Sequence, residues 1–473
     1  MKLFHVLFLV LTILFFIPFS VLAATGHYEL HGTELSIIWV IPFICMLLSI
    51  ALGPLIIPHF WHHNFGKISV FWGLAFLIPC AVIFGIPLTA YQLLHTIFLE
   101  YIPFIVLLLV LFTVAGGVRL KGHLIGKPIV NTGLLFIGTI LASWMGTTGA
   151  AMLLIRPLIR ANEHRKYVIH SVIFFIFLVA NIGGSLTPLG DPPLFLGFLK
   201  GVHFFWTTTH LFPMTVILSI LLLTIYFILD SILYKKEGSP LPQNISDNPG
   251  QLGIEGKVNL ILLLCVVLTV LMSGVWNPDI SINIYGISIA LQDLSRDIIL
   301  LLLTGISLKL TKKESRKLNG FSWEPIQEVA KLFIGIFISM IPAITILRAG
   351  EHGVLAPVIE LVFKDGQPVN SMFFWLTGIL SSFLDNAPTY LVFFNTATGD
   401  ATHLMGEWAK TLCAISAGSV FMGAVTYIGN APNFMVRSIA VTHGISMPSF
   451  FGYMLWSICI LFPCFILLTW LFF

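Results

Sequence analysis

Two carboxylates stand where a carboxylate is costly. Asp191 lies in the run Gly184–Phe195, GSLTPLGDPPLF, and Asp385 in Ser381–Phe394, SSFLDNAPTYLVFF. Both sit deep in apolar segments, where ionisable side chains are expensive and commonly serve transport. A carboxylate there holds a proton or a metal cation, two positive ligands competing for one site. Sodium prefers hard oxygen donors, and the sequence supplies them in Thr147, Thr148, Asn181, Thr187, Asn386, Thr389, Thr426 and Asn430. Each also has a local reading. Asp191 before Pro192 and Pro193 suits a helix N-cap, as does Asp385 near Pro388, and the hydroxyls and amides suit repair of broken backbone. Capping and cation binding are compatible.

The segments carrying these residues are interrupted helices. The breaks hold Gly146 and Gly149, then Gly184, Gly190, Pro192 and Pro193, then Pro388, then Gly429 and Pro432. Backbone groups freed inside hydrocarbon must find partners in protein, ion or water. Half-helix N-termini carry partial positive charge and freed carbonyls partial negative charge, so converging breaks make an ion-binding locus at mid-membrane depth.

The breaks also repeat. Gly184–Phe195 aligns with Gly423–Phe434, GAVTYIGNAPNF, with five of twelve positions identical and a constant offset of 239. The same offset sends Thr147 to Asn386 and Gly149 to Pro388, joining the second pair of breaks. It also pairs Asp191 with Asn430, so the two halves differ by one charge at matched positions.

The elements that must position these residues follow from composition. Of 473 residues, 57% are hydrophobic and 10% charged. A soluble domain carries about 25% charged residues, so this chain lacks the surface to meet water. Its apolar residues fall in blocks of spanning length, and the fold class is an all-α polytopic membrane protein. Spans are expected at Glu34–Pro58, Ile68–Ala90, Tyr101–Val118, Val168–Trp206 and Leu211–Tyr234. The second half offers Lys257–Trp276, Asp297–Leu310 (short for a crossing), Val329–Leu347, Leu412–Arg437 and Phe450–Phe473. Residues 1–24 read as a signal peptide or a first span. A first repeat then covers 25–234, a polar cytoplasmic linker 235–256, and a second repeat 257–473.

Residues 128–157 and 371–402 read as re-entrant hairpins. Arg119, Lys121 and Lys127 precede the first and Arg156, Arg160, Arg165 and Lys166 follow it, which places both ends in the cytoplasm. The second hairpin lacks such flanks and opens outside. Each half becomes three spans, a hairpin and two spans, with opposite orientation: an inverted-topology repeat, a plan of secondary transporters.

Other polar residues read blandly. Arg156 and Arg437 snorkel, Asp230 and Glu100 sit hydrated near span ends, and His59, His62 and His63 occupy a cytoplasmic loop. Asn244-Ile245-Ser246 matches a glycosylation acceptor on the wrong side of the membrane for use. The six cysteines show no metal spacing. No catalytic constellation appears, so an enzyme is not expected. The net charge of +3 lies in short loops and points to topology rather than nucleic acid.

At SSFLDNAPTYLVFF, NIGGSLTPLGDPP (Asn181–Pro193) and YIGNAPNFMV (Tyr427–Val436), the chain resembles the ion transporter superfamily, which includes bacterial sodium/proton antiporters and citrate or dicarboxylate carriers. The resemblance covers nearly the whole chain after the first segment. It implies a multi-pass protein of the bacterial inner membrane, a homodimer with a scaffold domain and a moving transport domain. No resident cofactor is implied, only transported or coupling sodium and protons. It also implies sodium sites at hairpin tips facing broken helices. By position these fall on Thr147, Thr148, Asn181 and Asp191, and on Asp385, Asn386, Thr426 and Asn430. Dicarboxylate carriers of the superfamily place Ser-Asn-Thr at both tips, whereas here the tips read Gly-Thr-Thr-Gly and Asp-Asn-Ala-Pro. An acidic tip resembles the sodium/proton antiporters more closely. Antiport is therefore the expected activity, with sodium- or proton-coupled citrate or dicarboxylate transport as the alternative.

Overall fold

A computed structural model describes residues 30–122, 124–240 and 253–473. The first segment, 1–24, and the acceptor Asn244-Ile245-Ser246 lie outside these residues. The apolar blocks are helical because, in hydrocarbon, a helix satisfies its own backbone polar groups. In chain order these are α1 (Ile41–Ile56), α2 (Pro58–Ile83) and α3 (Ile86–Thr96), which runs through a π-turn at Ile97–Tyr101 into α4 (Ile102–Ala115). The first hairpin is α5 (Pro128–Met145) and α6 (Thr147–Ala161), and the first broken helix is α7 (Ile169–Leu178) and α8 (Pro192–Leu199). The half closes with α9 (Trp206–Lys236).

The second half holds α10 (Lys257–Val275), α11 (Leu291–Leu310), the short α12 (Lys313–Leu318) and α13 (Glu324–Arg348). After the short α14 (Ala356–Glu360) come hairpin helices α15 (Asn370–Phe383) and α16 (Asn386–Thr396), then the short α17 (Ala401–Met405). The second broken helix is α18 (Ala409–Met422) and α19 (Ala431–Thr442), followed by α20 (Phe450–Phe472). Eight segments among the described residues are long and apolar enough to cross a membrane. Three two-stranded ribbons are the only sheet among the described residues. One of them pairs β1 (Arg119–Lys121) with β2 (Gly253–Glu255) at the edge of the linker. The fold is an all-α polytopic membrane protein.

The helix boundaries depart from the sequence expectation in three places. The second and third spans are Pro58–Phe84 and Ile86–Ala115 rather than Ile68–Ala90 and Tyr101–Val118. His59, His62 and His63 therefore sit on the exposed first turns of α2, not in a loop. There Pro58 opens the helix, and His63 Nδ1 (2.9 Å from His59 O) and Asn64 Nδ2 (3.0 Å from Phe60 O) bond back along it. Glu100 is half-buried in the π-turn of a continuous segment rather than at a hydrated end. And α11 runs 20 residues rather than 14, but it is not among the eight segments apolar enough to cross; near its start Arg296 pairs with Asp293 at 2.7 Å and Asp297 at 2.9 Å.

Two compact units emerge, each drawing on both halves. One gathers 30–106, Met272–Ile298 and Ser322–Ala356. In it Ser69 donates to the Lys331 carbonyl at 2.5 Å, Tyr101 donates to the Ala330 carbonyl at 2.8 Å, and Phe104 stacks on Phe333. The other gathers the described residues of Leu107–Leu271, Ile299–Phe321 and Pro357–Phe473. It contains both hairpins and both broken helices, and hence every residue of the candidate site.

Candidate functional site

Each break is built from its own sequence. At the first hairpin tip Gly146 has φ +79°, a conformation that side chains with a Cβ rarely adopt, and α6 begins at the next residue. The Thr147 amide donates to the Gly190 carbonyl at 2.8 Å, tying the tip to the first broken helix. In that helix a 3-10 turn at Ile182–Ser185 leads to Asp191, and α8 starts at Pro192. Asp385 precedes α16, and Asn430 precedes α19. Gly149, Pro192, Pro193, Pro388 and Pro432, expected in the breaks, lie instead in the first turns of α6, α8, α16 and α19. Gly149 serves packing: a Cβ there would sit 2.7 Å from that of Ala115.

The 239-residue offset holds in three dimensions. Ser143 donates to the Gly183 carbonyl, and Thr187 donates to the Ser143 carbonyl. At matched positions Ser382 donates to the Met422 carbonyl at 2.9 Å, and Thr426 donates to the Ser382 carbonyl. Thr187 and Thr426 thus hold freed backbone. The glycines match too: a Cβ on Gly190 would lie 2.1 Å from the Gly184 oxygen, and one on Gly429 would lie 2.6 Å from that of Gly423. Since the obstruction is backbone, Gly190→Ala is expected to lower stability by about 1–3 kcal/mol or more, read as a lower melting temperature in detergent.

One side chain from each break meets at the centre. Asp191 is buried, and one of its oxygens accepts from Thr147 Oγ1 at 3.0 Å and Asn430 Nδ2 at 2.9 Å. Its other oxygen accepts from Asn386 Nδ2. Thr147 and Asn386 are one pseudo-symmetric pair, Asp191 and Asn430 the other. Although Asp191 occupies the N-cap position of α8, its carboxylate makes no capping bond; it faces the other three breaks instead. Among the described residues no Lys, Arg or His pairs with it. The Asn386 side-chain oxygen, Oδ1, is buried and has no hydrogen-bond partner. A carboxylate beside such an orphaned oxygen supplies what a hard cation binds.

The remaining expected residues surround this core. Asn181 donates to Asn433 Oδ1 at 2.7 Å and to the Ile176 carbonyl at 2.8 Å, and accepts from Asn430 at 3.3 Å. Thr148 is half-buried beside Thr147. Thr389 donates to the Asp385 carbonyl at 2.9 Å, within its own helix. Asp385 is half-buried and caps α16, accepting from the Ala387 amide at 3.0 Å. Its charge and its cap separate experimentally. Asn caps about as well as Asp, so Asp385→Asn should leave the melting temperature unchanged, whereas Ala costs about 1 kcal/mol. If the charge also helps hold a cation, Asp385→Asn lowers transport about tenfold or more. Full activity of the Asn variant would leave Asp385 a cap alone.

Sequence reading missed Asn433, Ser143 and Ser382. The two serines share the 239 offset and were findable by extending it; Asn433 faces Leu194 in the repeat and carried no signal. Reading Asp230 as hydrated was wrong. It is fully buried, 2.7 Å from Arg165 Nη1 and 2.9 Å from His170 Nε2, and accepts from Asn131 Nδ2 at 3.1 Å. Arg165 continues to Glu237 at 3.2 Å. Of the two cations expected to snorkel, Arg437 lies 4.9 Å over the Tyr427 ring.

Four half-helices, α6, α8, α16 and α19, begin at Thr147, Pro192, Asn386 and Ala431, beside the cluster. Their N-termini favour negative charge, both that of Asp191 and that of a second carboxylate. The locus therefore combines hard oxygen donors with half-helix N-termini. No curated protein matches the chain. The family described as "Putative citrate transport" matches residues 32–473, nearly the whole chain, and its description names the carboxylate alternative rather than antiport. The chain belongs to this family of citrate-transporter-like ion transporters.

Proposed function

We propose that the protein is a secondary transporter of the bacterial inner membrane that carries a citrate-class carboxylate with a coupling cation, sodium or proton. The observation that carries this reading is the meeting of one side chain from each of the four breaks around Asp191. Asp191 and the Asn386 oxygen hold the cation. The half-helix N-termini receive the carboxylate, whose charge the cation offsets. Alternating access follows from two oppositely oriented repeats exposing one central locus to each side in turn. A homodimer, implied by the superfamily resemblance, fits this scheme.

Coupling of this kind is reciprocal: a cation that promotes citrate binding is itself bound more tightly when citrate is present. Calorimetric titration of the purified protein with citrate should show affinity rising with sodium or with acidity. Citrate affinity indifferent to both would reject the proposal. Sodium/proton antiport keeps one specific support, the absence of a cationic partner to Asp191 among the described residues. It requires sodium pulses to move protons in proteoliposomes without citrate.

A further inference from the structure

Away from the central locus, a cavity of about 180 Å³ opens between β1, the C-terminal half of α6 and the end of α12. One water needs only about 10–15 Å³ of such space, so the cavity has room for a small polyvalent anion. Its lining is cationic: Arg119, Arg156 and Arg160, with His443 at one edge.

The three arginines differ in what they already hold. Arg119 pairs with Glu255 at 3.1 Å, a carboxylate it shares with Lys121. Arg160 lies in the last turn of α6, where it complements the helix dipole, and gives one bond to the Leu120 carbonyl at 3.2 Å. Its Nε is buried without an acceptor. Arg156, one turn earlier, makes no hydrogen bond or ion pair among the described residues, and its Nη1 is buried and unpartnered. Its guanidinium is held over Gly320, where a Cβ would lie 2.1 Å from Nη2. Four cations, Arg119, Lys121, Arg156 and Arg160, thus face two carboxylates, Glu255 and the nearby Glu163. A guanidinium nitrogen buried with no acceptor is costly, and the two surplus charges match a di- or trivalent oxyanion.

We propose that this cavity is a second anion site, in which Arg156 and Arg160, flanked by Arg119, bind a small polyvalent oxyanion on the side of the membrane that the basic flanks assign to the cytoplasm. Free tricarboxylate and phosphate share the required chemistry. A tricarboxylate held there would be the transported anion after release from the centre, or a signal of its internal level.

The test is equilibrium binding, which requires no transport. Protein purified in detergent is titrated in sodium-free buffer with citrate and, separately, with inorganic phosphate. At least one anion should bind, and Arg156→Gln combined with Arg160→Gln should weaken it by about tenfold or more per arginine. Arg156→Lys, which keeps the charge, should retain more affinity than Arg156→Gln; this pair carries the test if the double variant does not purify as a folded protein. Tighter citrate binding assigns the occupant as tricarboxylate, and tighter phosphate binding assigns it as phosphate. Unchanged affinity for both anions in the variants, or no binding of either by the unmodified protein, overturns the site. Loss of cation–citrate coupling with arginine-dependent binding intact would reject the transport reading alone.

Discussion

Asp191→Asn is expected to abolish coupled uptake while the protein still folds. The substitution nearly preserves shape, so packing survives. The carboxylate, however, accepts three hydrogen bonds, from Thr147, Asn386 and Asn430. An amide in its place has one oxygen, and its NH2 group faces a donor. Thr147 can turn its hydroxyl, but Asn430 also donates to the Ala180 carbonyl at 3.2 Å and cannot flip without losing that bond. Loss of the charge and one mismatched donor together cost about 3 kcal/mol of cation binding, or roughly a hundredfold in affinity. Sodium-dependent citrate uptake by reconstituted protein, beside a melting curve, reads both effects. Wild-type uptake by the variant would remove Asp191 from the mechanism.

Asp230→Ala is expected to act on stability. The carboxylate joins α9 to Arg165, to His170 on α7 and to Asn131 on α5, so it fastens the first hairpin and first broken helix to a long span. Removing it takes from the buried Arg165 guanidinium its nearer carboxylate and leaves Glu237 alone to balance it. Breaking a buried pair from one side costs about 3–5 kcal/mol. The loss should appear as a much lower melting temperature or poor recovery from the membrane. Asp230→Asn, which keeps two hydrogen bonds, should lose less. A melting temperature unchanged in the Ala variant would show that the network adds nothing to stability.

What was legible in the sequence was whatever leaves a mark within one segment. Glycine, proline and a few polar residues inside apolar blocks marked the four breaks, and the constant offset paired Thr147 with Asn386 and Asp191 with Asn430 before any contact was known. In the structure both pairs meet at Asp191, which accepts from the other three side chains. What stayed hidden depends on partners far apart in the chain. Asp230 lies 60 residues from His170 and 99 from Asn131, with no common period to link them. Hydropathy also misplaced α2, because His59, His62, His63 and Lys67 resemble a loop although their backbone is helical. The difference between Asp191 and Asp385 was likewise invisible: both precede half-helices, but only Asp385 makes the capping bond.

The most direct test is uptake of labelled citrate into proteoliposomes under an imposed sodium or proton gradient, with internal pH followed by a dye. Citrate should accumulate under one of these gradients and fail to do so in Asp191→Asn. Proton movement triggered by sodium alone, with no citrate entering, would contradict it.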